Sequence, residues 1–170
     1  MTSNIQSKLY ELLSIEDQFT DFQNDTNPFR FRFKDNDYNI HFSKIHSYHK
    51  RPEMRRIQID ADIKKEFIKY NEYEYVFGMF GYDQDTDTIS TWDTSYLNSD
   101  FKSGKSLYST KESLYKAQEE GINKYHNKEH PALFSIHFPS KYLGFYLNLH
   151  KECKAIINQS ELLFKGFDFF

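Results

Sequence analysis

The sequence predicts an α+β fold that is richest in strands through its middle. Three observations support this. Aromatic residues make up 18% of the 170 positions while mean hydropathy is only −0.79, so bulky rings must supply much of the core among many polar residues. Several central stretches alternate apolar and polar residues with the period of a strand. Stretches with helical spacing and capping residues flank them. A chain of this length buries a real core, and this composition is not that of a disordered segment.

Ile5, Leu9, Leu12, Leu13 and Ile15 fall at helical spacing, which predicts an opening helix over residues 4–17 with Ser3 as its N-cap. Residues 23–28 are polar and read as a loop. Phe29-Arg30-Phe31-Arg32-Phe33 alternates strictly, with three rings on one face and two arginines on the other. Asp35-Asn36-Asp37 offers a turn into a second alternating run over residues 38–46, giving a hairpin with one aromatic and one basic face.

Residues 54–59 read as a third strand and residues 60–70 as a short helix or irregular crossing. Residues 73–82 have the strongest strand composition. The turn Asp83-Gln84-Asp85-Thr86-Asp87 leads to a partner strand over residues 88–92. Residues 95–106 read as a long polar loop. Ser109 or Thr110 with Glu112 starts a helix that Gly121 ends. Another strand follows over residues 132–138, and Pro139 sits near the first turn of a helix over residues 139–149. No repeat or linker divides the chain, which predicts one domain over residues 1–170.

The single Cys153 rules out a disulfide framework within the chain. No apolar run approaches the length of a membrane span and no signal-peptide pattern opens the chain, so a cytoplasmic, membrane-free setting is expected.

Charge is distributed unevenly. Residues 30–56 hold eight Lys/Arg (30, 32, 34, 44, 50, 51, 55, 56) against three carboxylates (35, 37, 53), a local +5 in a chain whose formal net charge is −3. A segregated patch of this kind attracts a polyanion even where the whole molecule does not. An exposed strand face is also commonly rich in Arg and Lys for solubility and protection against edge pairing. Two clusters favour the functional reading. Tyr48, His49, Lys50, Arg51, Arg55 and Arg56 mix rings and cations around a hairpin tip. A second polar stretch brings Trp92, Tyr96, Asn98, Lys102, Ser103, Lys105, Ser106 and Tyr108. Cations of two such arms suit phosphates, and Arg, Asn and Ser suit base edges.

Other patterns resolve to blander readings. Asp83, Asp85 and Asp87 start a calcium-loop pattern, but Thr88 stands where its glycine belongs and Thr94 where its bidentate glutamate belongs. Gly104-Lys105-Ser106 resembles the end of a P-loop, yet Ser99 replaces its first glycine. His126 and His130 have the spacing of a zinc peptidase motif, but Pro131 biases His130 away from the helix that motif requires. His150 and Cys153 could supply two metal ligands, and no second pair joins them. Asp62-Ile63-Lys64, Asp100-Phe101-Lys102 and Glu152-Cys153-Lys154 match the carboxylate-lysine pattern of metal-dependent nucleases, though none lies in an apolar strand that would fix its geometry. These residues yield no metal and no cofactor.

The central region resembles B3-like pseudobarrel DNA-recognition domains of the kind associated with restriction endonucleases. The resemblance lies in Arg56-Ile57-Gln58-Ile59, in the strand pair at residues 76–83 and 88–93, in Ser106-Leu107-Tyr108-Ser109 leading into a helix, and in a late strand and helix containing Lys141-Tyr142-Leu143. It spans residues 40–150. The resemblance implies a twisted, barrel-like, mostly antiparallel sheet with flanking helices. Two loop arms, at residues 46–56 and 93–108 here, would grip the major groove, and a catalytic nuclease part would lie elsewhere. The expected function is target recognition on double-stranded DNA in a restriction-type system, with a nuclease domain or subunit as a further partner. A small magnesium-dependent endonuclease and a protein-interaction module are the alternatives.

Overall fold

The computed structural model describes residues 2–23, 27–71, 75–92, 104–126 and 134–153. Helix α1 (Thr2–Ser14) buries Leu9, Leu12 and Leu13 as one stripe. It already includes Ser3, so that residue lies within the helix and does not cap it. Strand β1 (Phe19–Gln23) has no counterpart in the sequence reading. Its rings, Phe19 and Phe22, are three residues apart, and a bulge with Asp21 at φ 57 is what turns both toward the core.

Strand β2 (Phe29–Phe33) follows the alternation: Phe29, Phe31 and Phe33 are buried, and Arg30 and Arg32 lie on the opposite face. The Asn27 side chain clamps its neighbour β3 (Asn36–Lys44), accepting from Phe42 N and donating to Phe42 O. The turn between β2 and β3 uses Lys34 and Asp35, with Lys34 at φ 54, and pairs Phe33 with Asn36. The expected strand over residues 38–46 breaks at Ile45. Ile45 N donates to Tyr82 O at 2.8 Å, and the chain then leaves for a second sheet as β4 (His46–Tyr48) and β5 (Arg51–Ile59).

Helix α2 (Ala61–Asn71) is capped by Asp60, whose carboxylate accepts from the backbone N–H groups of Asp62 and Ile63. Strands β6 (Val76–Asp83) and β7 (Thr88–Trp92) form the expected hairpin. Strand β8 (Lys105–Thr110) runs into α3 (Lys111–Glu120). Thr110 accepts from Ser113 N, and Gly121, at φ 89, closes the far end of the helix by donating to Ala117 O. Strand β9 (Asn123–His126), which the sequence reading also lacked, pairs with β10 (Phe134–Pro139). A 3-10 turn (Ser140–Tyr142) then leads into α4 (Leu143–Cys153).

The strands make a seven-stranded sheet in the order β1-β2-β3-β6-β7-β10-β9 and a three-stranded sheet in the order β4-β5-β8. Every pair is antiparallel except β3 with β6. The α+β class and the mostly antiparallel pairing are as expected. Both sheets are open, and no closed barrel is present among the described residues.

The large sheet is covered on both faces, which is why β6 is buried along its whole length. On one face Leu9 and Leu13 of α1 and Tyr146 and Leu147 of α4 pack against Phe42, Phe80 and Phe138. Tyr38 Oη ties this layer together by donating to Leu147 O. On the other face Phe77, Met79 and Trp92 meet Ile57, Ile59 and Leu107 of the small sheet, with Ile63 and Leu114 from α2 and α3. The two sheets come close enough that a Cβ at Gly81 would stand 2.6 Å from Ile45 and 2.8 Å from Ile57. The small sheet is therefore held as a platform with its outer face turned away from the core.

Candidate nucleic-acid interface

Alternation along β5 and β8 decides which residues this platform presents. Arg55, Ile57 and Ile59 point inward with Leu107 and Ser109, whereas Met54, Arg56 and Gln58 point outward with Ser106, Tyr108 and Thr110. Arg56 lies on the middle strand, directly opposite His46 on β4 and Tyr108 on β8. Its guanidinium centre stands 4.8 Å over the Tyr48 ring, and Nη1 reaches Ser106 Oγ at 3.5 Å. Tyr48 also meets Tyr108 at 5.9 Å and His49 at 5.6 Å between ring centroids. The two stretches read as separate arms thus meet in one sheet, with β8 as the described part of the second.

Lys50 and Arg51 are exposed at the hairpin end. Lys105 is half-buried at the opposite end of β8, across from Ile59. Tyr96, Asn98, Lys102 and Ser103 lie outside the described residues. His46 and Gln58 share the outward face with Arg56 and were not among the sequence candidates. The period-two pattern set by Ile57 and Ile59 marks Gln58, whereas His46 reaches this face through its pairing with Arg56.

Two sequence candidates are placed in the interior. Arg55 is only 7% exposed, and its Nη1 donates to Pro52 O at 2.8 Å and to Met54 O at 3.1 Å. That guanidinium holds the hairpin's shape. Trp92 is a core residue whose Nε1 donates to Tyr108 O at 3.1 Å, fastening β8 to the large sheet.

The basic stretch is also divided in space. Arg30 and Arg32 belong to β2 in the large sheet, Lys34 lies over the Phe33 ring, and Lys44 donates to Gln84. The hairpin over residues 46–56 keeps Lys50, Arg51, Arg55 and Arg56 against Glu53, a local +3.

The acidic patterns are occupied elsewhere. Asp83 accepts from Thr86 N and Thr86 Oγ1 within the β6–β7 turn. Asp87, at φ 49, accepts from Tyr82 Oη and Ser140 Oγ and so pins the turn to the 3-10 segment. Asp62 is exposed on α2 and pairs with Lys65, and Gly104-Lys105-Ser106 enters a strand where a P-loop would enter a helix. Among the described residues no group of three or more His, Cys, Asp or Glu is placed to hold a metal ion. His130, Asp100 and Lys154 lie outside the described residues.

Two histidines are buried in the large sheet. His137 is flanked by Ser90 Oγ at 2.7 Å from Nδ1 and Ser135 Oγ at 3.0 Å from Nε2, and burial pushes its pKa down to about 3. His41 is lowered to about 4 by burial, against the opposing pull of Asp60. Among the described residues neither ring nitrogen of His41 has a hydrogen-bond partner, and the Asn39 amide, two residues away on the same face of β3, has none either. A histidine inside an apolar strand gives no sequence signal of such a setting.

No curated protein and no solved structure matches this chain. The family model described as Methylase-associated X1 matches residues 36–147, which is 112 of the 170 residues. The match begins at β3 and ends within α4, so it takes in the sheet-switching segment, the whole three-stranded platform, the β6–β7 hairpin and the β9–β10 pair of the large sheet. With that span covered, the chain belongs to the Methylase-associated X1 family.

Proposed function

We propose that this chain is a target-recognition domain for double-stranded DNA in a restriction-modification system, and that it binds through the outer face of the three-stranded sheet. The observation that carries this reading is the cluster of Tyr48, Arg56, Ser106 and Tyr108 on that face, with Lys50 and Arg51 exposed at the adjoining hairpin end. Exposed cations suit phosphates, and an ordered polar and aromatic face suits base edges. Three strands span about 10 Å, close to the roughly 12 Å width of the major groove.

The family's association with methylases supports a setting in which DNA is the shared substrate. In this reading the whole chain serves as one recognition domain, and the two stacked sheets act as the walls of an open, B3-like pseudobarrel. A methyltransferase or nuclease subunit is its protein partner, and no reaction is assigned to the chain itself.

Lys50 and Arg51 are expected to anchor phosphates. In a titration of duplex affinity against salt, the Lys50→Ala, Arg51→Ala double variant should lower the log-log slope by about 1.8, at about 0.9 per lost phosphate contact. It should weaken all sequences alike. An unchanged slope would place the phosphate contacts elsewhere.

A further inference from the structure

We infer that Arg56 reads a guanine through its major-groove edge, an assignment that rests on the DNA-binding reading above and names the base that this face selects. Arg55, Arg56 and the hairpin-tip cations are neighbours in sequence, yet the fold gives them different chemistry. Arg55 turns inward and its guanidinium is bound by backbone carbonyls. Lys50 and Arg51 are exposed on long stems, a state that suits a phosphate, because a phosphate asks for charge more than for direction.

Arg56 differs from all of these. It stands at the centre of the platform, on the middle of three strands, with its guanidinium centre 4.8 Å from the Tyr48 ring centroid and Nη1 within 3.5 Å of Ser106 Oγ. Among the described residues no carboxylate pairs with it, and Tyr108 across the strand pair limits its sideways movement. With Nη1 engaged by Ser106, the Nε–Nη2 edge of the guanidinium keeps two parallel donors to meet a ligand. Two parallel donors in one plane match the O6 and N7 acceptors of guanine, the one base that shows two adjacent acceptors in the major groove. A side chain already ordered by its own protein loses little freedom on binding, so the contact is suited to discrimination between bases.

The test is a selection from a randomised duplex pool with the full chain, followed by affinity measurements on the enriched duplex. The parent should enrich a site that contains a fixed guanine. Replacing that guanine by 7-deazaguanine, which keeps pairing but removes the N7 acceptor, should weaken the parent roughly 5- to 150-fold. Arg56→Met, which keeps the long stem but has no N–H donor, should still bind duplex but should lose the guanine from its enriched site and become insensitive to the 7-deaza replacement. Arg56→Ala should behave likewise, with a thermal midpoint close to that of the parent to show that it folds. The inference is overturned if Arg56→Met and Arg56→Ala enrich the same site as the parent and merely weaken every duplex alike, because that is the behaviour of a phosphate contact. It is also overturned if 7-deazaguanine leaves the parent's affinity unchanged. A parent that retains no duplex at low salt overturns the DNA-binding reading itself, and this assignment with it.

Discussion

Acidification below pH 6.5 should destabilise this protein by about 3 kcal/mol for each pH unit down to about pH 4, because two buried histidines resist protonation together. His41 and His137 titrate near 4 and 3 in the folded chain against 6.5 when exposed. Above pH 6.5 both forms of the chain carry neutral rings, so nothing is lost. Below it the unfolded chain takes up two protons that the folded chain refuses, and stability falls until the folded values are reached. Accumulated over that window, the loss is on the order of 7 kcal/mol, a large share of the roughly 5 to 15 kcal/mol of a typical domain.

Urea midpoints measured between pH 7 and pH 4 check this, and a stability that stays level across that range would contradict it. His41→Leu separates the two contributions. It should remove about half of the pH dependence, and because the ring nitrogens of His41 have no partners among the described residues, the change should cost little at neutral pH. His137 is the poorer choice for this purpose, since its loss would orphan the buried Ser90 and Ser135 hydroxyls.

Trp92→Ala should cost about 3 to 5 kcal/mol of stability, the range for removing a large buried ring. Trp92 joins β7 to the small sheet through both its packing and its bond to Tyr108 O, so the variant loosens the platform from the core as well as leaving a cavity. Trp92→Phe keeps most of the packing and loses the hydrogen bond, and should cost about 1 kcal/mol beyond the difference in ring size. Chemical denaturation measures both. A Trp92→Ala chain as stable as the parent would contradict the buried placement and return Trp92 to the surface role that its sequence context suggested.

Trp92 also shows where sequence reading reached its limit. The strand over residues 88–92 was legible, but β7 is buried on both faces, so alternation could not tell which of its side chains face solvent. The same holds for Asn39 and His41 in β3. Strict alternation in β2 and the caps Thr110 and Gly121 of α3 were read directly, because each depends on neighbours a few residues away. The break at Ile45 was not, since it depends on Tyr82 and on the space left by Gly81, both remote in sequence.

For the candidate interface, the two stretches were legible as composition, and the meeting of the hairpin with β8 in one sheet was not. Arg55 and Arg56 looked equivalent as a basic pair. The inward pattern of Ile57 and Ile59, extended back along the strand, is what separates a buried hairpin brace from a half-buried guanidinium on the outer face of the sheet.

The most direct test of the account is the affinity of the full chain for duplex DNA as salt is raised from about 50 mM to about 500 mM. Phosphate contacts by Lys50 and Arg51 should give a log-log slope of about −1.8 or steeper, at about 0.9 each. An affinity that does not change with salt, or no duplex retained even at the lowest salt, would contradict the claim that this face binds DNA.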